Sequence, residues 1–254
     1  MKNDEKVTSR NYDSIAREYH DMRTKENPKG WFYNELLEMP ATLELLGNVR
    51  SKKILDFGCG TGIYAKLLTK KGAIVKGFDI SGEMIKIAKE ENPNLDLRVG
   101  SGYKIPFREK FDIVFASLVV HYLEDWDKMF REVKKVLKTN GYFIFSTGNP
   151  VSEVGEKIRV GKKKYKALGI NNYFRESKIR GVLKFDNGKG KFNKKISVCH
   201  RTYETIIKTI IRNGFEIVDY RDAFPIKKSK KLFPKEYEAY SNIPFFSVWK
   251  VMKK

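Results

Sequence analysis

The run Lys53-Ile54-Leu55-Asp56-Phe57-Gly58-Cys59-Gly60-Thr61-Gly62 restricts what this chain can fold into more than any other stretch. A short apolar segment of strand type ends at Asp56, glycines follow at alternate positions, and Ile63 to Leu68 then sets apolar residues at helical spacing. Glycine accepts positive φ and has no Cβ, so Gly58, Gly60 and Gly62 let a small ligand lie against the backbone at a helix N-terminus. A dinucleotide site needs G-x-G-x-x-G aimed at a pyrophosphate. Here the third glycine comes one residue early, and Asp56 stands two residues before the first. A fixed negative charge there suits a cationic ligand better than a pyrophosphate.

Further strands and helices alternate after this turn. Ala73 to Asp79 reads as a second strand whose terminal carboxylate falls 21 positions after Gly58, one βαβ unit away, where it can accept hydrogen bonds from two ribose hydroxyls. The competing role for Asp79 is to cap the helix begun by Ser81-Gly82-Glu83-Met84. Leu95 to Val99 alternates as a third strand, and Phe111 to Ala116 is apolar enough for a strand buried on both faces. The tip that follows, Ser117 to Tyr122, opens onto the same edge as Gly58 and Asp79. A helix over 124–138, a stop at Gly141 and a strand over Tyr142 to Ser146 come next. After an irregular region the pattern resumes with a helix from Thr202 to Asn213 and strands at Phe215 to Tyr220 and Phe245 to Val251. The fold class is α/β, a doubly wound and mostly parallel sheet. Ahead of it, residues 11–23 place Tyr12, Ile15, Ala16 and Tyr19 on one helical face, and 31–47 form a second amphipathic helix from Trp31, interrupted near Pro40 and stopped by Gly47.

The motif D-x-G-C-G-T-G, Asp56 to Gly62, resembles the class I S-adenosylmethionine-dependent methyltransferases, and the resemblance runs clearly over about residues 10–150. The Y-D-x-x-A-x-x-Y pattern of Tyr12, Asp13, Ala16 and Tyr19 is similar to the N-terminal segment that folds over the cofactor in that family. The resemblance implies a seven-strand Rossmann-like sheet with strand seven antiparallel, an N-terminal helical flap and S-adenosyl-L-methionine as cofactor. It implies cofactor contacts from Tyr19, Asp56, Gly58, Cys59, Gly60, Gly62, Asp79, Ile80, Ser101, Gly102, Tyr103 and Ser117. The family often carries an Asp for the adenine amino group where this chain has Ser101. A neutral hydroxyl makes a weaker bond, so that contact would pass to the backbone of Gly102 and Tyr103. The chain divides into a cofactor-binding core with N-terminal helices (1–150), a basic cap read as an insertion over the active site because it breaks the strand–helix pattern (151–200), and a segment completing the sheet (201–254).

Methyl transfer from a sulfonium is an in-line displacement, and collinear positioning supplies roughly 7–11 kcal/mol of the barrier. A base is needed only where the nucleophile carries a proton of high pKa. His20, His121 and His200 fall near the cofactor edge, and His121, Tyr122 and His200 are the candidate catalytic residues. Each histidine has the alternative of being a packed polar residue. Methylation of an exocyclic base amine goes with [DNS]-P-P-[YF] after strand four, where this chain has Ser117-Leu118-Val119-Val120. Two cysteines, Cys59 and Cys199, allow neither a disulfide framework nor zinc spacing, and no metal is expected. What remains is a small-molecule methyltransferase, which resembles the branch that holds the quinone-biosynthesis C-methyltransferases, or an RNA enzyme that works by another site.

Charge keeps a second acceptor class open. Residues 1–150 carry 25 Lys and Arg against 21 Asp and Glu, whereas residues 151–254 carry 26 against 10. Residues 157–195, with interspersed aromatics and hairpin character at Asn187-Gly188, suit an anionic small acceptor or RNA such as tRNA. Solvated lysine surface is the plain alternative, since Lys outnumbers the phosphate-forking Arg. Ser101 favours a third reading, a cofactor-binding protein without catalysis. The polar first residues and the lack of an apolar run of membrane-spanning length point to a soluble, cytoplasmic protein.

Overall fold

The computed structural model describes residues 3–24, 32–160, 165–186 and 191–254. Helices α1 (Asn3–Asp13) and α2 (Ala16–Thr24) lead, and a π-helical stretch, Phe32–Glu38, runs into α3 (Met39–Leu46). The core follows as β1 (Lys53–Phe57), α4 (Ile63–Lys70), β2 (Ile74–Asp79), α5 (Gly82–Glu91), β3 (Asp96–Val99), β4 (Phe111–Ala116), α6 (Trp126–Val136) and β5 (Leu137–Gly148). Beyond it come α7 (Pro150–Glu153), the hairpin strands β6 (Gly155–Val160) and β7 (Tyr165–Ile170), and the pair β8 (Lys178–Asp186) and β9 (Lys191–Cys199). Helix α8 (Tyr203–Arg212), β10 (Phe215–Asp222), α9 (Lys227–Leu232), α10 (Pro234–Tyr240) and β11 (Phe246–Lys253) complete the chain.

Seven strands form one sheet in the order β10-β11-β5-β4-β1-β2-β3, with β11 antiparallel to both its neighbours and the β5-β4-β1-β2-β3 pairs parallel. This is the expected α/β sheet with its last strand reversed. β4 lies at the centre with β1 beside it, and Ile54 to Phe57 of β1 are buried on both faces. One face packs Phe130, Val133, Ile206 and Ile210 of α6 and α8 on Phe143, Phe145 and Trp249. The other packs Leu37, Leu45, Ala65 and Leu68 on Phe115, Ile144 and Val248. Trp126, Met129, Phe130, Val133 and Val136 give α6 one apolar stripe, and Asp125 caps it by accepting the Lys128 N–H at 2.9 Å.

Several boundaries differ from those read in the sequence. The polar residues 3–13 form a helix of their own, and the segment read as one helix over 11–23 is broken at Ser14-Ile15. Helix α6 ends at Val136, since Leu137 turns extended to pair with Phe111 before an irregularity carries the register to Ile113 and Tyr142. Pro40 cannot donate to the Leu36 carbonyl, which instead accepts the Ile226 N–H at 3.0 Å, and the turn ahead of Pro40 is π-helical. The expected hairpin is present as β8 and β9, paired from Lys178 with Cys199 to Asp186 with Lys191. Its expected turn at Asn187-Gly188, like Trp31, lies outside the described residues. Among the described residues, no helix is long and apolar enough to cross a membrane.

Candidate active site

A cavity of about 610 Å³ opens at the C-terminal ends of β1, β2, β4 and β5, where open α/β sheets bind ligands. Its floor is the glycine turn. Gly58 has φ 73°, and a Cβ there would stand 2.4 Å from Val119 Cγ2, so only glycine lets the strand-four tip close over the turn. The Gly58 and Cys59 amides both donate to the Phe78 carbonyl, at 2.8 and 3.0 Å, which ties the turn to β2. Gly58, Cys59 and Gly60 line the cavity, whereas Gly62 faces Ala88 of α5 and Asn92 just past its end.

Two carboxylates flank this turn. Asp56 is buried, its Oδ2 has no hydrogen-bond partner, and burial, with the nearby Asp79 charge, pushes its pKa up to about 8. Asp79 accepts the Gly60 and Ser81 amides, each at 2.9 Å, which fixes its carboxylate at the cavity wall beside Ile80. The cap of α5 is Ser81, whose Oγ accepts the Met84 N–H at 3.1 Å.

Helices α1 and α2 form the roof through Glu5, Thr8, Tyr12, Tyr19, Met22 and Arg23. Tyr12 and Tyr122 join roof to strand-four tip by a hydroxyl–hydroxyl bond of 2.8 Å. Arg23 donates from Nε and Nη2 to Glu35 Oε1, at 2.9 and 2.7 Å, and from Nη1 to the Tyr19 hydroxyl at 3.3 Å. Ser101 and Tyr103 are not in the lining, unlike Gly102. The Ser101 hydroxyl donates to Glu5 and accepts the Tyr103 N–H, so Glu5 brings a carboxylate to the place where Ser101 lacks one.

The histidines separate. His20 lies off the cavity, 3.6 Å from Glu91. His200 also lies off it, with its side chain fully buried. His121 and Tyr122 line it together with Ser117, but burial, helped by the Arg201 charge, pushes the His121 pKa down to about 3. That ring is neutral and a weak base. Sequence reading passed over Arg23, Glu38 and Glu153. Glu38 is fully buried and accepts the Thr42, Ser117 and Ser146 hydroxyls on Oε1 at 2.7, 3.0 and 2.6 Å, and the Tyr64 hydroxyl on Oε2 at 2.8 Å.

The methyltransferase domain family matches residues 55–145 by its sequence profile. A solved S-adenosylmethionine-dependent methyltransferase of Mesorhizobium loti superposes with a TM-score of 0.72 at 26% identity, covering 85% of this chain and 97% of that one. The chain belongs to the class I S-adenosylmethionine-dependent methyltransferases. An uncharacterized protein of Haemophilus influenzae is 29% identical over 83% of this chain and 85% of its own length. A demethylmenaquinone methyltransferase of Chlorobaculum parvum is 39% identical over 112 residues, 43% of this chain and 46% of that protein. The chain thus matches less than half the length of this quinone-biosynthesis relative.

The enzyme's cofactor is S-adenosylmethionine, and the cavity fits it. A buried carboxylate with one oxygen left unbonded asks for a cation, and a second one held by two amides keeps lone pairs for hydroxyls. The cofactor supplies a methyl group already activated by its sulfonium.

Proposed function

We propose that this methyltransferase acts on a small-molecule acceptor enclosed between the sheet edge, helices α1 and α2, and the β8–β9 pair. The observation that carries this reading is the cavity itself. Past the glycine turn it continues to an apolar wall of Tyr33, Ile179, Ile196, Val198, Phe245 and Phe246, a chamber for a small body beside the cofactor and not a track for a polymer. The part-length relative named for demethylmenaquinone agrees with such an acceptor.

In this reading Asp56 and Arg23 meet the ammonium and carboxylate of the cofactor's amino-acid end, Asp79 its ribose hydroxyls, and Glu5 with Gly102 its base. Gly58, Cys59, Gly60, Tyr19, Ile80 and Ser117 shape the walls, while Gly62, Ser101 and Tyr103 act from behind through packing and hydrogen bonds. His121 and Tyr122 face the acceptor as neutral groups. Residues 1–150 and 201–254 form the core, and residues 151–200 serve as the cap.

Incubating the enzyme with methyl-labelled S-adenosylmethionine and a cell extract, then separating small molecules, RNA and protein, tests the reading. Label is expected in the small-molecule fraction. The basic C-terminal part favours RNA as the second reading, and label in RNA would establish it instead.

A further inference from the structure

We propose that Glu153 receives the acceptor's proton, and that the acceptor attacks through a hydroxyl or amine carried on an uncharged, apolar body. The proposal rests on the small-molecule reading above.

Glu153, at the end of α7, lines the cavity on the acceptor side, and three features hold it there. Gly148 ends β5 without a side chain, and a Cβ at that position would stand 2.3 Å from Glu153 Oε1, so the strand end admits the carboxylate only because the residue is glycine. Asn149 accepts the Val151 N–H at 3.1 Å and starts the short helix that swings Glu153 back over the strand. Behind it, His200 Nδ1 lies 3.1 Å from Glu153 Oε2 and Nε2 lies 2.9 Å from the Tyr173 carbonyl. A carbonyl cannot donate, so Nε2 carries a hydrogen and Nδ1 is left to share a proton with the carboxylate. His200 is a positioning residue, and Glu153 is the member of the pair that faces the cavity.

The charge of the lining gives the acceptor class. Among the described lining residues, Glu5, Asp56, Asp79 and Glu153 stand against the single guanidinium of Arg23, itself bonded to Glu35. Despite the basic exterior, an anion on the acceptor side would meet Glu153, and the one guanidinium of the described lining is already bonded to Glu35. A hydroxyl or amine on an apolar body meets the aromatic and aliphatic wall and offers its hydrogen to the one acceptor-side carboxylate. In the transfer the acceptor's lone pair forms the bond to the methyl carbon, the carbon–sulfur pair stays on sulfur, and the acceptor's proton passes to Glu153. Burial raises the Glu153 pKa and the His200 hydrogen bond offsets this in part, a balance that leaves it more basic than an ordinary glutamate. The charged groups facing it are His200 and Arg201.

Saturation-transfer NMR on the enzyme loaded with S-adenosylhomocysteine, with phenol and benzoate as probes, is expected to detect phenol and not benzoate. Glu153→Gln should admit benzoate and weaken phenol. Benzoate binding as tightly as phenol, or a variant indistinguishable from the native enzyme, would overturn the proposal. For turnover of the labelled small-molecule fraction, Glu153→Gln should lower kcat by about 10²-fold or more, raise acceptor KM much less than that, and leave S-adenosylhomocysteine affinity unchanged. Glu153→Asp should restore part of the rate, and the acid limb of the native profile should lie above the ordinary glutamate pKa. Full turnover by Glu153→Gln would also overturn the proposal, whereas label that appears only in RNA would count against the small-molecule reading itself.

Discussion

In the cofactor role proposed for it, Asp56 trades stability for binding. Its carboxylate is protonated up to about pH 8 in the folded chain and only to the ordinary aspartate range when unfolded, so the folded state holds the extra proton between these values. Stability from this group therefore falls as pH rises towards 8, where a charge with one unbonded oxygen must form in a buried site. Asp56→Asn is expected to melt a few °C higher than the native apo enzyme at pH 8, since about 1 kcal/mol moves Tm by about 2–4 °C at this size. The same change should weaken S-adenosylmethionine, and native binding below pH 8 should release a proton, read by calorimetry in buffers of different ionisation enthalpy. Asp79→Ala should cost about 1.5–3 kcal/mol of cofactor affinity by calorimetry, the loss of charged hydrogen bonds. Asp56, Asp79 and the glycines were legible because strand, turn and carboxylate are consecutive in the chain. Arg23, Glu5 and Glu153 were not, since each reaches the cavity from a separate element across the fold, and Glu153 sits in a stretch whose basic neighbours dominate its composition.

Elements show the same division between what periodicity reveals and what it hides. β1 to β4 and the apolar stripe of α6 follow from patterns of period two and 3.6, because their buried faces are made of carbon. Helix α1 escapes such reading because its buried face is polar. Asp4 accepts the Tyr103 hydroxyl at 2.6 Å, and Glu5 accepts that of Ser101, so the first turns of α1 are attached by hydrogen bonds, whereas Tyr12, Ala16 and Tyr19 pack the rest of the roof on Met84 and Ile87. The π-helical stretch buries Phe32, Leu36 and Leu37, which periodicity reveals, but it hides the role of its end residue Glu38, which gathers four hydroxyls from α3, α4, β5 and the tip after β4. Ser146 also accepts the Leu118 N–H at 2.9 Å, where Leu118 holds φ 52°, so the cluster fixes the strand-four tip under the cavity. Glu38→Gln leaves at least one buried hydroxyl mispaired and is expected to cost about 1–3 kcal/mol in urea unfolding. Loss of cofactor affinity should accompany it, because Ser117 leaves its place at the wall. Unchanged unfolding would mean that the hydroxyls re-pair without the carboxylate.

Across the whole molecule, a formal charge of +20 surrounds a cavity whose described lining is acidic, and the two facts lead to different salt dependences. Binding of an RNA to the exterior would engage lysines that include Lys162, Lys163 and Lys164, which lie outside the described residues, and each phosphate neutralised adds to the slope of log affinity against log salt. An uncharged acceptor releases no such counterions. Exposed charges are screened over about 8–10 Å at physiological ionic strength, so the lysines of the basic cap would attract an anion to the mouth only in low salt, and Glu153 inside would give it no cation to pair with. The expected outcome is therefore split: filter binding detects tRNA at low salt and loses it steeply as salt rises, while KM for the small-molecule acceptor stays flat over the same range. Neutralising Lys162, Lys163 and Lys164 together should flatten the tRNA slope and leave both acceptor KM and cofactor affinity unaltered. A KM that climbs with salt in parallel with the loss of tRNA, and that the triple variant reproduces, would place an anion in the chamber and make the basic cap part of substrate recognition.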